Sequence, residues 1–254
     1  GDELFDWNTQ ITEDTTIYAH WTKAETPKHT ITFDPNTEGG RLKPKEMTRI
    51  MHEGDTFGAL PLPVAAGMVF QGWYTAAGDG EGMLVSEGDV FTETSDITLY
   101  AHWEYDPYKY WSQTLTTIYE SMHACQVVDC YIEFEENVTA SSCDLLSNCK
   151  AGNCARNRGN DTVVDDEWVE SRNPKIIVKC VDNMGSASSE KSRMQERFPG
   201  KRVIIAPIEA EYGDNYTRLY YTLYLGKLIY PDWYGEVDID KVGEELEVSG
   251  NLYE

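Results

Sequence analysis

Residues 12–21 read TEDTTIYAHW and residues 94–103 read TSDITLYAHW, and this repeat limits what the chain can fold into more than any other feature. A near-copy within one chain marks a structural unit used more than once. Both copies alternate strictly. Ile17, Ala19 and Trp21 share one face opposite Thr16, Tyr18 and His20, and Leu99, Ala101 and Trp103 share a face opposite Thr98, Tyr100 and His102. Period two in β-branched and aromatic residues predicts a half-buried strand. His20 and His102 fall on the polar face, so each is expected to be a solvated strand histidine and not a metal ligand.

One full module lies between the copies. HTITFDP (29–35) predicts a strand and TEGG (37–40) a turn. Gly54-Asp55 and the Pro61/Pro63 pair punctuate the middle, MVFQGWYT (68–75) predicts a further strand, and AAGDGEGM (76–83) a glycine-rich loop. Trp73 and Trp103 are the expected core residues. No helix signal follows AGDGEG, so it is not read as a phosphate loop, and DGEG lacks the ligand spacing of a calcium loop. The order ITFDPNTEGG, GDTFGALPLPVAAGMVFQGWYT, TSDITLYAHW resembles the Listeria–Bacteroides repeat (the internalin-type B repeat) over residues 29–103. That resemblance implies a compact β-grasp-like module of secreted and wall-attached proteins, used as a spacer or adhesive unit. Residues 1–23 resemble a partial preceding copy, as expected of a natural protein that continues upstream. The expected organisation is a partial β repeat at 1–23, a linker at 24–28, a β-grasp-like repeat at 29–104 and an α/β domain at 105–254.

The pattern changes after Trp103. EYDPYKYWSQTLTTIYESMHAC predicts a helix with Trp111, Leu115, Ile118 or Tyr119, and Met122 on one face. Strands and helices then alternate. VVDCYIEF (127–134), KIIVKCV (175–181) and RVIIAPI (202–208) read as strands. DEWVESR, capped by Asp165 or Asp166, together with segments 188–198, 217–230 and 238–246, reads as helix. KIIVKCV is almost uninterruptedly apolar, as a strand covered on both faces would be. The alternation predicts an α/β layer with a mainly parallel sheet. EWVESRNPKIIVK, followed by GKRVIIAPIEAEYGDNYTRLYYTLYLGKLIYPDWYGEVDIDKVGEEL, resembles the C-terminal lobe of metal-chelate-class ABC-transporter solute-binding proteins, over residues 108–248. That family encloses its ligand between two lobes, whereas the region before residue 104 is β repeat.

Lys and Arg number 21 against 44 Asp and Glu, a formal charge of −23. Such a surface repels nucleic acid and anionic lipid, and no stretch reaches the ~18 apolar residues of a membrane helix. Cys125, Cys130, Cys143, Cys149, Cys154 and Cys180 all lie in the second half. Their even number predicts disulfides, with about 15 pairings open. The spacing of Cys143, Cys149 and Cys154 is not the tight C-x-x-C pair of zinc sites. No G-x-S-x-G, H-E-x-x-H, Walker or G-x-G-x-x-G motif occurs, and His123 beside Cys125 is expected to pack within a helix, so no enzyme and no cofactor is expected. Asn137, Asn160 and Asn215 begin glycosylation sequons, a weak pattern on its own.

In open α/β sheets ligands sit beyond the carboxyl ends of the strands. Here those ends lead into 135–140, 182–188 and 207–215, which makes Glu135, Asn183, Glu209, Glu211, Tyr212, Asp214 and Arg218 the candidate ligand-binding residues. The expected function is an extracellular surface or envelope-attached protein whose β repeats carry an α/β domain that binds a ligand or a partner. A metal chelate or another surface protein is the expected partner. The alternative is the solute-binding component of a siderophore, haem or cobalamin uptake system.

Overall fold

The computed structural model describes residues 4–22, 25–78, 80–159 and 161–254. Both ends of the partial copy (1–3 and 23–24), Asp79 of the glycine-rich loop and Asn160 of the second sequon lie outside the described residues.

The first unit has five strands: β1 (Lys28–Asp34), β2 (Thr48–His52), β3 (Met68–Tyr74), β4 (Leu84–Val85) and β5 (Ile97–Tyr105). They form one mixed sheet in the order β2-β1-β5-β3-β4. The central pair β1–β5 is parallel, from Ile31 opposite Ile97 to Asp34 opposite Tyr100, and the other pairs are antiparallel. Alternation sends Ile31, Phe33, Met51, Trp73, Val85, Leu99 and Ala101 into one core, joined by Phe57 and Phe91 from the loops. Trp73 is buried there and donates its indole N–H to Pro61 O at 2.8 Å. Trp103 is partly buried and donates to Pro35 O at 2.7 Å.

Two expectations for the repeated strand fail. Residues 12–21 form no strand and are exposed, because no described strand lies beside them to complete a ladder and cover their apolar face. Their copy in β5 is flanked by β1 and β3. His102 is not solvated. It is buried, stacks on Tyr74 with ring centroids 4.0 Å apart, and its Nε2 lies 2.8 Å from Ala76 O. The glycine-rich loop folds back over that face, so a position polar by pattern becomes enclosed. His20 is exposed.

The second unit contains β6 (Asp129–Glu133), β7 (Val138–Thr139), β8 (Gly152–Asn153), β9 (Thr162–Val163), β10 (Ile176–Val181) and β11 (Arg202–Pro207). Its helices are α1 (Pro107–Ser121), α2 (Asp144–Asn148), α3 (Asp166–Arg172), α4 (Ala187–Arg197), α5 (Glu209–Tyr212), α6 (Asn215–Ile229), α7 (Pro231–Tyr234) and α8 (Ile239–Leu246). Four strands form a parallel sheet in the order β11-β10-β6-β8, while β7 and β9 pair separately. Successive residues of β10 serve opposite faces. Ile176, Val178 and Cys180 pack with Leu145, Leu146, Leu223 and Val242 below α2, α6 and α8. Ile177 and Val181 pack with Val169 and Met194 below α3 and α4. Every residue of β10 is buried, as its apolar run requires. Asp165, Asp214 and Asp238 cap α3, α6 and α8 through their carboxylates.

The two units meet at a tight junction. Asp106 alone separates β5 from α1, which it caps by accepting from Lys109 N at 3.0 Å. Its own N–H donates to Gly67 O at 2.8 Å, and Gly67 N donates to Gln113 Oε1 at 2.8 Å. Gly67 has φ +68°, and a Cβ there would lie 2.6 Å from Tyr110 Cβ, so only glycine fits against α1. Glu245 on α8 accepts from both Tyr105 Oη (2.7 Å) and Trp111 Nε1 (2.8 Å), fastening the end of the repeat to two helices.

The expected disulfides are absent: all six cysteines are free thiols. Cys130, Cys143, Cys149 and Cys180 pack in the main core as small apolar side chains, and a unit of this size buries enough surface to hold without staples. Burial pushes the Cys149 and Cys180 thiols up to about 12 and Cys154 up to about 11. His123 lies in a 3-10 turn after α1 and contacts Glu120 O at 3.0 Å.

Candidate functional site: a groove at the edge of the parallel sheet

β6, β10 and β11 end side by side and pass into three loops, and a groove of about 540 Å³ lies among them. Phe134 and Glu135 come from the first loop and Val138 from β7 beyond it, Asp182, Asn183 and Ser186 from the second loop, Ile208 from the third and Tyr212 from the short helix α5 that follows it. Glu190 and Arg193 reach in from α4, Asp161 from the turn before β9, and Lys179 from within β10. Asn183 shapes the second loop by accepting from Gly185 N at 2.8 Å.

A buried charge network lies behind the groove. Glu133, at the end of β6, is fully buried. Arg197 Nη1 donates to both its oxygens at 3.0 and 2.9 Å, Lys179 Nζ lies 3.4 Å away, and Arg193 Nη2 3.6 Å away. Lys179 also donates to Phe134 O at 2.6 Å. Arg197 continues outward to Asp166 (2.6 Å) and Asn137 (2.5 Å), and Arg193 to Glu190 (2.8 Å) and Glu136 (3.8 Å). Burial works against the Arg197 charge, but hydrogen bonds to Asp166 and the Glu133 carboxylate outweigh it and raise its pKa. The network ties β6, β10, α3 and α4 together, so the groove wall on that side is preorganised.

The seven candidate residues divide. Glu135, Asn183 and Tyr212 line the groove. Glu211 turns away. Its carboxylate accepts from Asp144 N (2.9 Å) and Leu145 N (2.8 Å) at the start of α2, and Cys143 Sγ lies 3.2 Å away. Asp214 caps α6 by accepting from Thr217 N at 2.8 Å, and hydrogen bonds from Thr217 hold its carboxyl below the usual range. Arg218 pairs with Asp144, and Glu209 is exposed at the first turn of α5. Burial, with Glu211 nearby, raises the Tyr212 phenol. Sequence reasoning missed Lys179, Glu190, Arg193 and Asp161. Lys179 had left a signal, since a lysine inside a buried apolar strand must be paired with an opposite charge. Among the described residues, no three His, Cys, Asp or Glu side chains converge as a metal site, and no helix is long and apolar enough to cross a membrane.

Comparison with known proteins agrees with the resemblance of the first unit. Residues 29–102 match the Listeria-Bacteroides repeat domain. A protein of Evansella cellulosilytica that carries the name Gly-rich membrane protein is 26% identical over 215 residues, covering 80% of this chain but only 22% of its own length. Among solved structures, the TroA-like periplasmic binding protein FepB of Veillonella parvula aligns at 15% identity and TM-score 0.45, covering 56% of this chain and 52% of its own. Helicobacter pylori CeuE with Ni(II) bound aligns at 17% identity and TM-score 0.42, covering 54% and 48%. The molybdate periplasmic binding protein MolA of Haemophilus influenzae aligns at 18% identity and TM-score 0.43, covering 58% and 50%. The chain thus spans about half the length of these binding proteins.

Proposed function

We propose that this is a non-enzymatic extracellular protein of a cell surface or envelope, in which the repeat is a spacer or adhesive module and the α/β domain binds a ligand or partner. The groove at the carboxyl edge of β6, β10 and β11 carries this reading, because it lies where open parallel sheets bind ligands and has a preorganised wall. The surface location draws support from the repeat match at 29–102 and from the relative named as a membrane protein. The parallel pairing of β1 with β5, the first and last strands, supports a β-grasp-like module.

The test is a thermal-shift screen of the whole chain beside Glu135→Trp, which fills the mouth of the groove at an exposed position. A ligand that stabilises the parent chain and not the variant is expected; ligands that stabilise both equally place binding elsewhere. A second reading, a solute-binding component of metal-chelate uptake, is favoured by the sequence resemblance of residues 108–248. Calorimetric titration with haem, cobalamin and ferric siderophores separates the two, and absence of binding to all three counts against uptake.

A further inference from the structure

We propose that the groove selects an organic cation, a protonated amine or guanidinium attached to an apolar body. The inference rests on reading the groove as the binding site.

The cations of the groove are already committed. Lys179 faces Glu133 at 3.4 Å and donates to Phe134 O, and it is only 5% exposed. Arg193 is shared among Glu190, Glu133 and Glu136. An anionic ligand would have to displace a carboxylate from one of these groups to gain a charge-assisted hydrogen bond. The carboxylates are in the opposite condition. Glu135, Asp161 and Asp182 line the groove at exposed positions, and none forms a side-chain hydrogen bond or ion pair among the described residues. Four lining carboxylates, with Glu190, stand against two lining cations, so the groove itself is acidic. The chain's net charge of −23 extends that field outward and favours encounter with cations.

The apolar part of the ligand follows from the wall. Phe134 and Tyr212 lie with ring centroids 5.5 Å apart at 50°, and Tyr212 is 64% exposed although it bounds the groove. A tyrosine held open beside free carboxylates offers a face for an apolar body and for a cation over its ring. The volume, about 540 Å³, suits a small molecule and not a bare ion.

The experiment is calorimetric titration of the whole chain with three isosteres, 4-phenylbutylamine, 4-phenylbutanol and 4-phenylbutyrate, at low ionic strength. The amine should bind tightest and the butyrate weakest. Amine affinity should fall on the order of tenfold in the double variant Glu135→Gln/Asp182→Asn, and should also fall at about 0.15 M salt. Both positions are exposed, and circular dichroism checks that the variant stays folded. Butyrate binding as tight as the amine, or amine binding indifferent to the double variant, overturns the cation assignment. A ferric siderophore that binds the parent chain and not Glu135→Trp, with no response to the amine, overturns the assignment but upholds the groove. No difference between parent and Glu135→Trp for any probe that binds overturns both.

Discussion

Residues 12–21 and 94–103 share Thr, Asp, Thr, Tyr, Ala, His and Trp at matching positions, yet one copy is exposed coil and the other is the central strand of a sheet. Ile17 is 46% exposed and its counterpart Leu99 is fully buried; Trp21 is 91% exposed and Trp103 is partly buried against Phe70. Alternation says which side of a strand would be buried. It does not create a strand, because backbone N–H and C=O groups need a ladder and apolar side chains need a layer to cover them.

The contrast between folded and unfolded contexts should be widest at high pH. Burial raises the Cys149 and Cys180 thiols from 9.0 to about 12, and Tyr230 from 10.0 to about 12. These groups are neutral when protonated, so their contribution is complete below the unfolded pKa and drains away as pH climbs from about 9 to 12. Each buried thiol accounts for roughly a few kcal/mol. The module holding β5 contains no cysteine. An alkaline titration followed by near-ultraviolet circular dichroism and tryptophan fluorescence should therefore unfold the α/β unit first, and simultaneous loss of both units would break the distinction.

The strand copies themselves come next. Leu99→Ala should cost about 2–5 kcal/mol in denaturant unfolding of the module, and Ile17→Ala less than about 0.5 kcal/mol. A measurable cost at Ile17 would mean that the first copy has found a partner in solution. Glu245→Ala removes the acceptor of Tyr105 and Trp111 and should cost about 1–3 kcal/mol, with the melts of the two units drawing apart. Smallest is the histidine pair. His102→Ala should cost about 1 kcal/mol through the lost contacts to Tyr74 and Ala76, and His20→Ala nothing measurable.

Much of the α/β unit was legible because its signals are local. The run IIVKCV, the helix start at Asp165 and the helical segments read at 217–230 and 238–246 lie within a few residues of the structure they specify. Trp111 and Met122 mark the buried stripe of the first helix for the same reason. β2 escaped notice because TRIMH is short, and its single buried residue, Met51, shows only once β1 lies alongside. The groove was legible as a place and only partly as a set of side chains. Position beyond the strand ends found Glu135, Asn183 and Tyr212, but loop sequence could not tell that Glu211 folds inward to cap α2 while Asp161 arrives from a distant turn. The cysteines misled because an even count describes composition, whereas these thiols serve the core as apolar volume.

Deuterium exchange of the whole chain, with and without whichever amine or metal chelate binds, tests most directly the claim that recognition belongs to the groove and not to the repeat. Added protection is expected in 134–138, 179–193 and 208–212, with 29–104 unchanged. Protection confined to 29–104 would contradict it.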